Sequence, residues 1–366
     1  MKKIIILIIL MLSCLSLFAC DETKLNKEDL NITDELTLLF KSAYANSIKD
    51  SNDNANLDEI NILEFYGKIN DAYVVSMDND ITNNNKSRII PYDIYDEDVE
   101  NMRFSYYGYR KPIYLIKDGN LYTIKQSYEN NIINFNEVCL LFGIQTSGLE
   151  TFSEKDHNIL KESMTLWNSK LGDKYKLRTY YGEYGDYIVV DYNMLTAFGV
   201  VSFEKISNFM FTYGYSDMAI RVINKSEVLS LSDAYNRAII NEEELYEIFT
   251  SYSRSAKIDK NLVDMLLSIV YDFLNGIKDD LQTVPDINKI YLERYYGNHF
   301  GYEVFSFETD YKLKTNSENP LIDKFVSLEH GFGETILYKD GEMIPLVYAV
   351  ENGIIDIEEY RTIRDL

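Results

Sequence analysis

Few side chains in this sequence are equipped for chemistry, and their spacing does not bring them together. Three histidines are present. His157 falls on an exposed-looking helix turn, while His299 and His330 fall in loops of the C-terminal third, with Glu303 and Glu329 close in sequence. Imidazole beside carboxylate suits metal binding or proton transfer. However, no H-x-x-x-H spacing exists that would set two rings on one helical face toward a metal ion. Surface loops are the favoured reading of His299 and His330, and neither a metal nor a cofactor is expected.

Nucleophile motifs are equally sparse. There is no G-x-S-x-G elbow, and Cys139 lies in the apolar run Val138-Cys139-Leu140-Leu141, where a thiol serves as a small core residue. The stretch Asp50 to Asn54 begins like a calcium loop, but Ala55 stands where glycine is needed and Asn61 where the bidentate Glu belongs. Asp78-Asn79-Asp80 fails in the same way, with Ile89 at the twelfth place. Gly331-Phe332-Gly333 lacks the third glycine and the Lys-Ser or Lys-Thr of a phosphate loop. Carboxylates are too numerous for any pair to be singled out for glycoside hydrolysis.

Tyrosine is the abundant functional type, with 31 copies. Clusters occur at Tyr106-Tyr107-Gly108-Tyr109, Tyr180-Tyr181 and Tyr213-Gly214-Tyr215. Tyr107, Tyr109, Tyr181, Tyr213 and Tyr215 are therefore the candidate binding surface. Tyr offers stiff, amphipathic contact area to a protein or polysaccharide. It also suits half-buried strands, which is the commoner use.

The N-terminus has its own logic. Met1-Lys2-Lys3 precedes an apolar run from Ile4 to Met11 that continues to Leu17. The run is too short to span a bilayer comfortably and has the form of a cleaved secretory leader. Its end, Leu17-Phe18-Ala19-Cys20, resembles the lipobox of bacterial lipoproteins. That resemblance implies removal of residues 1–19 and lipidation of Cys20. Residues 20–27 would form a tether, and the body would sit on the cell membrane or outer membrane, facing away from the cytoplasm. Two or three acyl chains hold a protein where one holds it marginally.

Cleavage would leave 34 basic and 59 acidic side chains, a charge of −25. Such a surface repels phosphate backbones, which excludes nucleic acid, and repels anionic headgroups. Cys14 would leave with the leader and Cys20 would carry lipid, so Cys139 could form no intramolecular disulfide.

Internal repetition organises the remainder. Phe65-Tyr66-Gly67, Tyr180-Tyr181-Gly182 and Tyr295-Tyr296-Gly297 each precede a strand-like stretch, and Asn131-Ile132-Ile133, Ala238-Ile239-Ile240 and Gly353-Ile354-Ile355 match downstream. Both landmarks move by 115 residues from the second copy to the third (297 − 182 and 354 − 239). The first copy carries about eight extra residues, placed in the polar stretch from Asp78 to Lys86. Each copy opens with an amphipathic stripe: Leu36, Leu39, Phe40, Ala43 and Tyr44; then Leu160, Met164, Trp167 and Leu171 behind a Ser153–Asp156 capping box; then Leu262, Leu266, Ile269, Val270, Phe273 and Ile277. Asp118-Gly119 and Asp340-Gly341 predict tight hairpins, with Lys225-Ser226 in the second copy predicting a different turn. Asn134 with Glu137, Asn241 with Glu244 and Asp356 with Glu359 have N-cap to N3 spacing, so these acids are read as structural caps.

The pattern YYG…KDG…AYxxGIIxxEEL resembles a repeat of secreted and surface bacterial proteins whose function is unassigned. The likeness implies fold and location, not mechanism. The expected fold is α+β: three tandem modules (28–148, 149–253 and 254–366), each an amphipathic helix packed on a small antiparallel sheet and closed by a short helical hairpin. The expected role is lipid-anchored and noncatalytic, binding a protein or polysaccharide or serving the envelope structurally. Two alternatives stand beside it: an envelope enzyme with its site in the third module, and a solute-binding lipoprotein of a transporter.

Overall fold

The computed structural model describes residues 25, 32–48, 57–79, 96–99, 102–105, 113–144, 148–167, 175–194, 201–214, 219–310 and 335–364. Among them the chain is α+β, with nine α-helices and three sheets that are antiparallel or mixed. It divides into two compact units, residues 1–158 and 159–366. No described helix is long and apolar enough to cross a membrane.

In the first unit, helix α1 (Asp34–Ile48) packs on a four-stranded antiparallel sheet ordered β1-β2-β5-β6. The strands are β1 (Ile60–Ile69), β2 (Ala72–Asn79), β5 (Ile113–Lys117) and β6 (Asn120–Thr123), and β3 (Asp96–Val99) pairs with β4 (Met102–Ser105) outside this sheet. The α1 stripe is used as expected, with Phe40 and Ala43 buried against Phe65, Val75, Met77 and Ile116. Short helices α2 (Ile124–Glu129) and α3 (Phe135–Gly143) close the unit, and α4 (Glu154–Trp167) begins at its end. Ser153 caps α4 through reciprocal bonds with Asp156. The Met164 and Trp167 side chains and Leu171 lie outside the described residues.

The second unit contains β7 (Tyr175–Tyr184), β8 (Tyr187–Met194), β11 (Ala219–Ile223) and β12 (Val228–Ser230), ordered β12-β11-β8-β7, with helices α5 (Leu231–Asn236) and α6 (Glu242–Ser253). Helix α7 (Lys260–Gly276) follows. Next come β13 (Ile290–His299), β14 (Tyr302–Thr309), β15 (Thr335–Lys339), β16 (Glu342–Pro345), α8 (Leu346–Glu351) and α9 (Ile357–Arg364). The hairpin of β9 (Val201–Ile206) and β10 (Phe209–Gly214), which the sequence reading did not anticipate, joins the later strands in a six-stranded sheet ordered β16-β15-β14-β13-β10-β9. Its seam is parallel: Phe209 registers with Leu292, whose N–H donates to the Asn208 carbonyl at 2.7 Å. One core runs from Tyr184 through Phe209, Phe249 and Val263 to Phe305 and Met343, uninterrupted at residue 253.

The buried stripe of α7 is Val263, Leu266, Leu267, Val270 and Leu274. Leu266 and Val270 of the predicted stripe are in it, Leu262, Ile269, Phe273 and Ile277 are partly buried and pack against the same core, and Val263, Leu267 and Leu274 are added to it.

Local chemistry repeats closely. The β1–β2, β7–β8 and β13–β14 hairpins each slip register twice: at Ile62/Glu64 and Phe65/Gly67, at Leu177/Thr179 and Tyr180/Gly182, and at Leu292/Arg294 and Tyr295/Gly297. Each slip leaves one extra residue in the first strand, a β-bulge. Gly67, Gly182 and Gly297 have φ of 119°, 126° and 106°, which explains glycine in each hairpin. Asn131, Ala238 and Gly353 share a left-handed conformation (φ 56°, 55° and 66°). There the N–H groups of Ile132, Ile239 and Ile354 reach back to Ser127, Ala234 and Ala349, ending α2, α5 and α8 in the same way. Asp118-Gly119 and Asp340-Gly341 make the tight turns foreseen, both residues with positive φ.

The caps form as spaced. Asn134 and Asn241 make complete capping boxes with Glu137 and Glu244, and Asp356 and Glu359 exchange the same pair of bonds. Asn241→Ala should therefore cost about 1 kcal/mol, read as a lower urea midpoint for the second unit with unchanged slope.

Candidate functional site

The bulges of β7 do more than bend it. The residues they leave out of register are Arg178 and Tyr181, and both interact with one residue of the neighbouring strand, Asp191. A bulge re-aims side chains in this way. Asp191 pairs with Thr179 on β7 and Ile220 on β11, in the middle of the sheet, and is only 3% exposed. It follows Ile188-Val189-Val190, an apolar run buried on both faces.

The carboxylate is incompletely served. Its Oδ2 lies 4.0 Å from Arg178 Nη1, and its Oδ1 has no hydrogen-bond partner. Burial, opposed by the Arg178 and Arg221 charges, pushes its pKa up from 3.8 to about 6. Desolvation therefore outweighs two guanidinium groups, because the nearer one is half in water and a 4.0 Å ion pair is a weak contact.

Two phenols share the cluster. The Tyr181 hydroxyl is driven well above its usual range by burial, and further by the Asp191 charge and Tyr252, against Arg178 and a hydrogen bond with Thr179. Tyr252, on α6, donates to the Thr212 carbonyl of β10. Its proton is also held more tightly, by burial first and then by Asp191. A carboxyl that titrates near 6, between a guanidinium and two protonated phenols, can take up or release a proton near neutral pH. At 3% exposure, a solute could reach it only after local opening.

Asp191 was missed in the sequence because carboxylates are so common there. Comparison of the three double-bulged hairpins reveals it. Ser76 and Ser306 stand at the same place, 115 residues to either side, and both are buried. A charge in a buried serine position is the signal.

The sequence-derived candidates do not converge. Cys20, Tyr107, Tyr109, Tyr215 and His330 lie outside the described residues, and Tyr213 is described by its backbone alone, paired with Ser202. Tyr181 is packed against the core, with its hydroxyl enclosed. His299 ends β13, and its Nε2 lies 2.9 Å from the Tyr296 carbonyl. Tyr184, at the equivalent place in β7, donates to the Tyr181 carbonyl at 3.2 Å. His299 thus braces a bulge from three residues away, as a tyrosine does elsewhere.

His157 departs from its expected exposure. It is 1% exposed, its ring centred 4.6 Å from that of Phe135, because α3 packs over the first turn of α4. Cys139 is wholly buried, and its thiol is pushed up by burial and the nearby Asp156 charge, which leaves it unreactive. Among the described residues no three His, Cys, Asp or Glu side chains stand close enough to hold a metal. Comparisons with protein-family models, curated proteins and solved structures gave no match.

Proposed function

We propose that this is a lipid-anchored cell-envelope protein whose body, behind a leader (1–19) and a tether (20–27), is three tandem modules (28–148, 149–253 and 254–366) with a noncatalytic binding or structural role. The observation that carries this reading is the double-bulged hairpin, used three times with Gly67, Gly182 and Gly297 at 115-residue intervals. Two register slips, a left-handed glycine and a downstream cap at matching places are many coincidences for unrelated segments. Repeated modules extend a surface, and their neighbours share core. The polar exception, Asp191, is enclosed, and the acids at the helix starts are engaged as caps. The tyrosine stretches 106–109 and 213–215 are the proposed contacts for a protein or polysaccharide, and the strongly acidic body disfavours nucleic acid.

Lipid on Cys20 supplies the location. Cells fed an alkyne-tagged fatty acid should label the full chain, which should fractionate with membranes. Cys20→Ala should lose the label and either release the protein or accumulate its precursor. Label retained after that substitution would remove the anchor from this reading.

A further inference from the structure

We infer that Asp191 works a proton-operated latch: its ionisation lets the last turn of α6 and β10 part, and its protonation holds them together. The inference deepens the proposed reading, and rests on it, because Thr212, where the latch closes, immediately precedes the contact stretch 213–215.

The latch belongs to the second hairpin alone. The first register slip leaves out Leu63 in β1, Arg178 in β7 and Glu293 in β13. Beside them, the buried places in the following strands are Ser76, Asp191 and Ser306. Only the second hairpin carries a cation and an anion at these two places. Packing by itself calls for no charge there, since the first and third hairpins bury serine.

The surroundings of Asp191 come from several elements. Arg178 and Tyr181 face it from β7, Arg221 from β11 and Tyr252 from α6. Tyr252 in turn faces Glu293 of β13. The Tyr252 hydroxyl donates to the Thr212 carbonyl and so ties the end of α6 to β10. That tie lies three residues beyond Phe209, which makes the registered pair with Leu292 of β13. Of the groups facing Asp191, only Tyr252 stands on an element outside the sheet of β7, β8 and β11. It can therefore move away while that sheet stays paired.

Solvation sets the direction. Asp191 Oδ1 has no hydrogen-bond partner, and Arg178 Nη1 stands 4.0 Å from Oδ2 with its side chain 42% exposed. A charged carboxylate so placed lacks the donors that water would give it. Opening that admits water favours the anion, and closure favours the acid. The closed-state pKa of about 6 lies above the reference value of 3.8. Opening therefore gains as pH rises above about 3.8 and levels off above about 6.

The test is hydrogen exchange on the full chain from pH 5 to 7.5, corrected for intrinsic rates and read as an opening constant at each amide. Amides of β10 and the last turn of α6 should exchange through an opening smaller than the one that exposes β8. In the wild-type chain that constant should rise about tenfold over this range, the increase for a carboxyl passing between pKa values of about 6 and 3.8. In Asp191→Asn it should stay flat. Tyr252→Phe should raise it about fivefold at pH 5, where the phenol's bond is lost while Asp191 is still mostly protonated. The inference is overturned by a flat wild-type profile at β10, by an unchanged β10 in Tyr252→Phe, or by β10 and β8 opening together at every pH. The last result would mean that the unit opens as a whole. The wild-type profile needs no substitution, so it decides the matter if either variant misfolds. Failure of the envelope reading is seen instead in fatty-acid labelling of Cys20, which this exchange does not touch.

Discussion

Phe249→Ala is expected to destabilise the second unit by about 3–5 kcal/mol, the range for deleting a buried phenyl group from a core that cannot collapse around the gap. The ring is 0% exposed. It stacks on Phe209 with centroids 4.2 Å apart and meets Phe211 edge-on at 5.7 Å. Both partners sit on β10, and Phe209 registers with Leu292 of β13, so the strand cannot move into the cavity without giving up its seam. The loss should therefore spread along the core from α6 to β13. Denaturant titrations read by hydrogen exchange at β10 and β13 would measure it, and the larger Phe249→Leu side chain should recover more than half. A loss of 1 kcal/mol or less would mean that this ring does not hold the hairpin to its adopted sheet.

Asp191→Asn should act in the opposite direction, stabilising the second unit at pH 7.5 and leaving it unchanged at pH 4. The carboxyl titrates at about 6 when folded and has a reference value of 3.8. Its folded-state pKa is raised, so its contribution to stability is fully present below about pH 3.8 and is lost as pH rises through about 6. The difference between the two limits is about 3 kcal/mol. Wild-type protein should thus gain stability on acidification from pH 7.5 toward 5, until protonation of other carboxylates reverses the trend. The Asn variant should lack that gain and be about 1–3 kcal/mol more stable at pH 7.5. Arg178 loses an ionic partner in the exchange, but its side chain is 42% exposed and water compensates it. Unfolding of a chain with two units need not be two-state, so exchange at β8 amides, corrected for intrinsic rates, is the proper reading. Identical pH profiles for the two proteins would show that Asp191 is better solvated than its burial implies.

The sequence was legible wherever a residue acts on its immediate neighbours. Asp118-Gly119 and Asp340-Gly341 turn the chain through their own dihedral preferences, and Asn134, Asn241 and Asp356 cap their helices by bonding three residues ahead. Helix α1 buries the predicted stripe because one sheet lies against it. The α7 stripe was read in part: Leu266 and Val270 are buried, but that helix is apolar on much of its circumference, and its neighbours also cover Val263, Leu267 and Leu274. His157 looked exposed because helical periodicity gives the faces of α4 without saying that α3 covers its first turn.

By itself the sequence determined the α+β composition, the turns, the caps and the recurrence of one hairpin, all of which rest on dihedral preference and bonding within a few residues. The tertiary structure alone decided that β9 and β10 belong to the sheet of the following strands, and that two bulges bring Arg178 and Tyr181 to a buried Asp191. Strand pairing is made by main-chain groups that every residue carries, so an edge's partner is set by which strands tertiary packing presents to it. Burial, likewise, is a property of the neighbours. A carboxylate reads the same in any sequence until the surrounding core removes its water.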